Sequence, residues 1–179
     1  IMFEANTIYA KIAYEAILVY LKSGEKLTKN EDEIPPALKL KLACFVSIHE
    51  QDEKLRGCIG TSQPKTQNLF QEIIDNAIAA ATEDPRFPAL KEEELNNIKV
   101  SVDVLSSPKD IEDINLLKPH KHGIIVSDNE GREALLLPNL DGIDSTEKQI
   151  AMAKKKAGIN PKLSNDELAI KYFTTTRYT

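Results

Sequence analysis

Apolar residues recur at helical spacing in three segments of the chain, which predicts helices over 7–23, 66–82 and 145–157. The middle segment carries the broadest apolar stripe, formed by Leu69, Phe70, Ile73, Ile74, Ala77, Ile78 and Ala81. Thr66 is the predicted cap of this helix, and the prolines around Arg86 end it because proline cannot continue a helix. This helix therefore has a wide apolar face to bury against other elements.

Alternating apolar and polar positions mark the strands. Segment 98–105 alternates over its whole length, which is typical of a strand with one buried face. The remaining predicted strands are a first hairpin over 43–50 and 55–61, a second hairpin over 122–127 and 133–137, and one final strand over 167–178. Because hairpins make most pairings antiparallel, the pattern predicts an α+β fold of mostly antiparallel sheets with packed helices.

Length and composition limit the classes of protein that fit the chain. Its 179 residues suit a single domain over 1–179, or two merged subdomains whose boundary the sequence does not resolve. No apolar run approaches the length of a membrane span, and the first residues lack the order of a secretory signal. Two cysteines without such a signal indicate free thiols in a reducing cytoplasm. A formal net charge of -5 makes nucleic acid an unlikely partner.

The returning strand of the first hairpin has an unusual sequence, Leu-Arg-Gly-Cys-Ile-Gly-Thr, at 55–61. Glycine weakens an ordinary strand, so Gly57 and Gly60 indicate a close backbone approach, a bulge or a bound ligand. Matching the apolar faces of the two strands places Leu55, Gly57 and Ile59 on the inner face. We therefore expect these three residues to pack beneath the long helix.

The opposite face of this hairpin is the predicted site. The same register places Ser47 opposite Cys58, with His49 on the diagonal and roughly 7 Å away between Cα atoms. Arg56 lies on this face in the predicted register. A neighbouring Arg56 or a protonated His49 would favour the thiolate of Cys58, which is the reactive form of cysteine. The alternatives are that Cys58 is a small buried core residue, or that a bulge in the strand separates these side chains.

A second candidate cluster follows the middle helix. Asp84 and Arg86 lie in a turn bounded by two prolines. Arginine holds a carboxylate or phosphate through two parallel hydrogen bonds, so Arg86 is a candidate anchor for an anionic small molecule. The alternative is that Arg86 pairs with Asp84 or caps the end of the preceding helix.

The sequence offers little support for a metal or a cofactor. His120 and His122 are spaced by two and, with Asp103, would supply three metal ligands, but this spacing is weak evidence. The chain has no P-loop, no dinucleotide-binding glycine motif, no nucleophile elbow and no zinc-protease motif. Two cysteines are too few to hold an iron–sulfur cluster. No metal and no cofactor are therefore predicted, and His122 would transfer protons only if its strand end reaches Cys58.

Several motifs together resemble the AMMECR-domain family. They are 55–61, 76–81, Asp84-Pro85-Arg86-Phe87, the strand 100–105 with Ser107-Pro108, Lys121-His122-Gly123, and 135–138. Their order and spacing also match, from about residue 10 to the C-terminus. The C-terminal portion is similar to the prokaryotic subgroup called AmmeMemoRadiSam system protein A. It departs from the eukaryotic type, which carries tryptophans there, whereas this chain has none.

The resemblance implies a fold, partners and a set of residues, but no particular reaction. The implied fold is a compact α+β structure of two interlocked subdomains. The implied partners are a radical S-adenosylmethionine enzyme and a Memo-type protein. The residues that carry the resemblance are Arg56, Gly57, Cys58, Gly60, Asp84, Arg86 and His122.

The leading functional hypothesis is an enzyme, or an enzyme component, that uses the Cys58 thiol on an anionic substrate. Arg56 or Arg86 would hold the anion, with Gly57, Gly60 and Asp84 shaping the binding site, and His49 or His122 would transfer protons. The alternative is a non-catalytic binding or adaptor module that docks a partner or ligand on the glycine-bearing strand. Nucleic-acid binding is a weaker alternative, since only the lysines of 148–162 would serve it.

Overall fold

The structure is a computed structural model that describes residues 2–179. Its elements in chain order are α1 (Ile8–Ser23), β1 (Cys44–Glu50), β2 (Leu55–Gly60), α2 (Leu69–Thr82), β3 (Ile98–Leu105), β4 (Lys109–Asp110), β5 (Gly123–Ser127), β6 (Glu133–Leu136), α3 (Thr146–Ala157), β7 (Ala169–Phe173) and β8 (Thr175–Tyr178). The chain divides into two compact units, one of residues up to Val104 together with 176–179, the other of 105–175. Within residues 2–179, no helix is long and apolar enough to cross a membrane.

The first unit is a four-stranded sheet with two helices in one hydrophobic core. Its strand order is β2-β1-β3-β8, and β1 pairs antiparallel with both β2 and β3. The inner face of the sheet contributes Val46, Ile48, Val100 and Val102 to a core that also contains the apolar stripes of α1 and α2. Residues alternate between apolar and polar along β1 and β3 because the helices cover only one face of the sheet, and the other face carries the polar side chains.

Helix α2 begins three residues later than the sequence predicts. Asn68, not Thr66, caps it, because the Asn68 side chain accepts a hydrogen bond from the Gln71 amide. The Thr66 hydroxyl instead donates to the buried carboxylate of Glu72 at 2.8 Å. The residues before the helix thus fold back onto its first turn, and the competing side-chain bond explains the shifted start.

The second unit is a smaller sheet with α3. Its strand order is β4-β7-β5-β6, and β5 pairs antiparallel with β6 and β7. Ile124, Val126, Ile150, Ala153 and Ile170 belong to its hydrophobic core. The Ser145 side chain caps α3, and Gly158 ends it in the left-handed conformation, as the sequence predicts.

Two predictions about the strands are wrong. The final segment forms β7 in the second sheet and β8 in the first rather than one strand, and the backbone changes sheet at Thr174. There the Ser106 amide donates to the Thr174 carbonyl at 2.9 Å. In addition, β4 forms between the predicted strands 98–105 and 122–127, where the sequence predicts no strand. Both misses have one cause, since strand pairing depends on partners that are distant in the chain.

Candidate functional site

Cys58 lies on β2, at the edge of the first sheet, and is partly exposed. Ser47 on β1 pairs directly with Cys58, which confirms the predicted register at this position. The Ser47 hydroxyl donates a hydrogen bond to the Cys58 sulfur at 3.2 Å. Cys58 is therefore not sealed in the core, and its sulfur is held on the polar face of the sheet.

Asp84 and Arg86 bind the outer edge of the strand at Cys58. The Cys58 amide donates to Asp84 Oδ2 at 2.9 Å, and Arg86 Nη2 donates to the Cys58 carbonyl at 3.4 Å. These two side chains replace the neighbouring strand that an edge residue lacks. The predicted alternative for Arg86 is observed, because its guanidinium bonds both Asp84 oxygens, Oδ1 at 3.0 Å and Oδ2 at 2.8 Å.

Asp84 is ionised and buried, with 4% of its surface exposed. The hydrogen bonds from Arg86 hold the pKa of the Asp84 carboxyl well below its usual range, while burial acts in the opposite direction. The backbone amides of Cys58 and Arg86 also donate to this carboxylate. Asp84 is therefore a fixed negative charge that orients Arg86 beside the backbone of Cys58.

Arg177 forms a second pair of the same kind on the polar face. It lies on β8, and its guanidinium bonds Asp103 on β3 through Nε and Nη2, both at 2.8 Å. Asp103 is buried. The Asp103 carboxylate thus binds Arg177, and it does not act as the third metal ligand that the spacing of His120 and His122 suggests. Nothing in the sequence marks Arg177 as a site residue, because no motif surrounds it and its partner is 74 residues away in the chain.

The two arginines are held in the same way. The side chains of Arg86 and Arg177 are 56% and 61% exposed, and each is oriented by one buried aspartate. In each, Nη1 makes no hydrogen bond to another residue of 2–179 and remains available to a ligand. The pKa of each guanidinium is raised, chiefly by the hydrogen bonds to its aspartate. The site therefore offers two guanidinium groups whose orientation is fixed by buried carboxylates.

A cavity of about 410 Å³ opens on the same face, lined by His49, Ser101 and Arg177 among others. Ser101 on β3 pairs with Ser47 on β1, and Ser47 donates the hydrogen bond to the Cys58 sulfur. The cavity therefore begins at the strand next to the contact between Ser47 and Cys58. Burial lowers the pKa of His49, and the positive charge of Arg177 acts in the same direction. The imidazole is therefore neutral at neutral pH and able to accept a proton.

A bulge in the hairpin separates Arg56 from Cys58. The register shifts between Ile48 and His49, so that His49 pairs with Leu55 and Arg56 is left unpaired. The prediction that Leu55 packs inward is wrong, since 37% of its surface is exposed. The predicted position of Arg56 on the Cys58 face is also wrong, because its buried guanidinium bonds Glu94 and the Pro88 carbonyl.

The two glycines of the hairpin permit close packing. A Cβ at Gly57 would lie 2.2 Å from the Ala80 carbonyl oxygen, so β2 touches the backbone of α2 there. A Cβ at Gly60 would lie 2.3 Å from the Phe45 ring. These contacts account for both glycines without a bound ligand, and their place in substrate binding stays a prediction.

His122 lies in the second unit, next to a different cavity. Its Nδ1 accepts a hydrogen bond from the Lys118 amide at 3.1 Å, and its ring meets Tyr172 edge-on. Burial lowers the pKa of His122, with the charges of Lys121 and Lys118 contributing. Every residue described around Cys58 belongs to the first unit and His122 to the second, so the role of His122 in proton transfer stays a prediction.

The family model described as AMMECR1 matches residues 10–178 of the chain. A protein of Thermotoga maritima is 45% identical over 170 residues, which cover 95% of this chain and 96% of that protein. A protein of Clostridium acetobutylicum is 40% identical over 171 residues, which cover 95% of this chain but 35% of that protein.

The fold also has a solved counterpart. The crystal structure of an uncharacterized protein from Pyrococcus horikoshii superimposes with a TM-score of 0.82 at 30% sequence identity, covering 98% of this chain and 92% of that one. This likeness confirms the predicted fold class, a mixed α+β structure with antiparallel sheets.

Proposed function

The chain belongs to the AMMECR1 family, and from this premise we propose that it is an enzyme, or an enzyme component, that uses the Cys58 thiol on an anionic substrate. The proposal rests on one observation above all. Cys58 is partly exposed on the sheet face that also carries the pair of Arg177 with Asp103, and its carbonyl accepts a hydrogen bond from Arg86, which buried Asp84 orients. Fixed cations stabilise negative charge more effectively than mobile ones, because no reorganisation is needed at the moment of reaction.

Each residue has a separate role in this proposal. The Cys58 thiolate is the nucleophile, and the Ser47 hydroxyl fixes the position of its sulfur. Arg86 and Arg177 hold the anionic group of the substrate through Nη1. His49, neutral and on the cavity wall, accepts the proton that the thiol releases.

Paired alkylating reagents test the proposal on the intact protein. Iodoacetate and iodoacetamide both form a carbon–sulfur bond with the thiolate and release iodide, but only iodoacetate is an anion. We expect the ratio of the two rate constants, iodoacetate over iodoacetamide, to exceed the ratio for glutathione by at least about fivefold at low salt. The excess should fall as salt screens the arginines. Peptide mapping assigns the modified residue, and Cys58→Ala provides the blank.

The matched variant removes one arginine without leaving its buried partner charged. Asp103→Asn combined with Arg177→Gln should bring the rate ratio toward that of glutathione while Cys58 still reacts with iodoacetamide. A ratio equal to that of glutathione in the unaltered protein would refute the anionic substrate. A Cys58 that reacts with neither reagent in the folded protein would instead favour the adaptor module.

We propose further that the chain belongs to the AmmeMemoRadiSam system protein A subgroup and acts in the cytoplasm with a radical S-adenosylmethionine enzyme and a Memo-type protein. The similarity of the C-terminal motifs supports this assignment, and two free thiols fit a reducing compartment. With two cysteines the chain would be the companion of the radical enzyme. Affinity purification of the tagged chain from its own cells should recover both proteins, and recovery of neither would refute the partnership.

A further inference from the structure

One face of α3 lines a cavity of about 340 Å³ in the second unit. Glu147, Ile150, Ala151 and Lys154 stand on this wall at the spacing that brings residues onto one helix face. Pro161 contributes to the lining from the segment after the helix. The cavity therefore has an apolar floor, with a cation and a carboxylate two helical turns apart.

Lys154 is a buried cation without a carboxylate partner. It is 9% exposed, and its Nζ donates to the Leu163 carbonyl at 2.6 Å and to the Pro161 carbonyl at 3.4 Å. No carboxylate of residues 2–179 forms an ion pair with this ammonium within 4.0 Å. The charge of Lys154 is a minor cause of the lowered pKa of Glu167, after hydrogen bonds from Ser164. An ammonium has three donors, so one N–H remains unused.

The chemistry of the cavity selects a small organic acid. A buried charge without a counter-ion is costly, and an anionic ligand would supply the missing charge. Glu147 lies about 10 Å along the helix from Lys154, too far to neutralise it. One free cation matches a single carboxylate better than a doubly charged phosphate. Asn165 also lines the cavity, and its side chain makes no hydrogen bond to another described residue, so its amide is available as a second donor.

We propose that this cavity binds the carboxylate of a short aliphatic acid, with its hydrocarbon chain on Ile150 and its carboxylate on Lys154. The site lies entirely within the second unit and is independent of the proposed chemistry at Cys58. Among the lysines of 148–162, Lys154 thus serves a ligand rather than a nucleic-acid surface.

The test is a titration of the ¹⁵N-labelled full chain with hexanoate, followed by amide NMR spectra. We expect saturable shifts at Ala151, Lys154 and Asn165, and none with hexanamide, which has the same chain without the charge. Lys154→Met should weaken hexanoate binding by about tenfold or more, the loss expected for one charge-assisted hydrogen bond. Lys155→Met is the matched control, because it removes the same charge from an exposed neighbour and should leave binding unchanged.

Three results would overturn the proposal. They are the absence of saturable shifts with hexanoate, equal shifts with hexanamide, or equal losses of affinity in the two lysine variants. The comparison of hexanoate with hexanamide uses the unaltered protein, so it decides the question even if Lys154→Met does not fold.

Discussion

The backbone of β2 lies directly against the backbone of α2 at Gly57, so an alanine there measures how tightly the two elements are held together. The added Cβ would lie 2.2 Å from the Ala80 carbonyl oxygen and 3.1 Å from the Ala80 carbonyl carbon. Neither atom belongs to a flexible side chain, so relief requires a shift of the helix or the strand. Overpacking of a core costs about 1–3 kcal/mol, and this contact falls at the upper end.

The net effect is smaller than the clash alone. Alanine restricts the unfolded chain and so returns about 0.4–1 kcal/mol of stability. We therefore expect Gly57→Ala to lower the free energy of unfolding by about 2–2.5 kcal/mol. For a chain of this length that corresponds to a fall in Tm of roughly 5–10 °C. Urea unfolding followed by circular dichroism measures the change.

Two variants separate the backbone clash from other causes. A Cβ at Gly131 meets no atom within 4 Å, so Gly131→Ala should cost only about 1 kcal/mol, the strain of its left-handed backbone. Ala80→Gly should not rescue Gly57→Ala, because the clashing atoms belong to the Ala80 backbone. A loss below about 0.5 kcal/mol in Gly57→Ala would refute the close approach, since ordinary surface substitutions reach that size.

Three further predictions concern charged and thiol groups. Asp84→Asn should cost about 2 kcal/mol at neutral pH, the range for hydrogen bonds to a charged group. Because the pKa of Asp84 is lowered in the folded state, the advantage of the wild type is complete above about pH 5. It is lost progressively as pH falls from there toward the lowered pKa of the folded carboxyl, which acid unfolding curves would detect. In Cys58→Ala, the remaining Cys44 should stay unlabelled by iodoacetamide until urea unfolds the protein, because burial raises the pKa of the Cys44 thiol to about 12. Labelling of Cys44 in the folded variant would contradict its burial. Arg56→Met should lower the free energy of unfolding by about 1–3 kcal/mol, because the ion pair with Glu94 is lost. The ratio of the iodoacetate and iodoacetamide rate constants of Cys58 should stay unchanged. A changed ratio would show that Arg56 acts on the Cys58 thiol.

The pairing of Ser47 with Cys58 follows from the sequence alone. In a strand the side chains alternate between two faces, so the apolar positions of β1 and β2 determine which residues can share the inner face. Local signals also locate α1 and α3, because each helix has a side-chain cap at its start and a left-handed glycine at its end. These features depend on neighbours within a few residues, and their energies do not need the rest of the chain.

Other features of the site depend on the tertiary structure. The bulge that buries Arg56 is stabilised by Glu94, which is 38 residues away, and the sequence near Arg56 gives no sign of it. The pair of Arg177 with Asp103 requires the chain to leave the second sheet at Thr174 and enter the first. An ion pair between distant residues depends on which strands become neighbours, and no local pattern encodes that choice. The local pattern is therefore enough to pair Cys58 with Ser47, whereas the exposure of Cys58 and the ion pairs near it follow from contacts between distant parts of the chain.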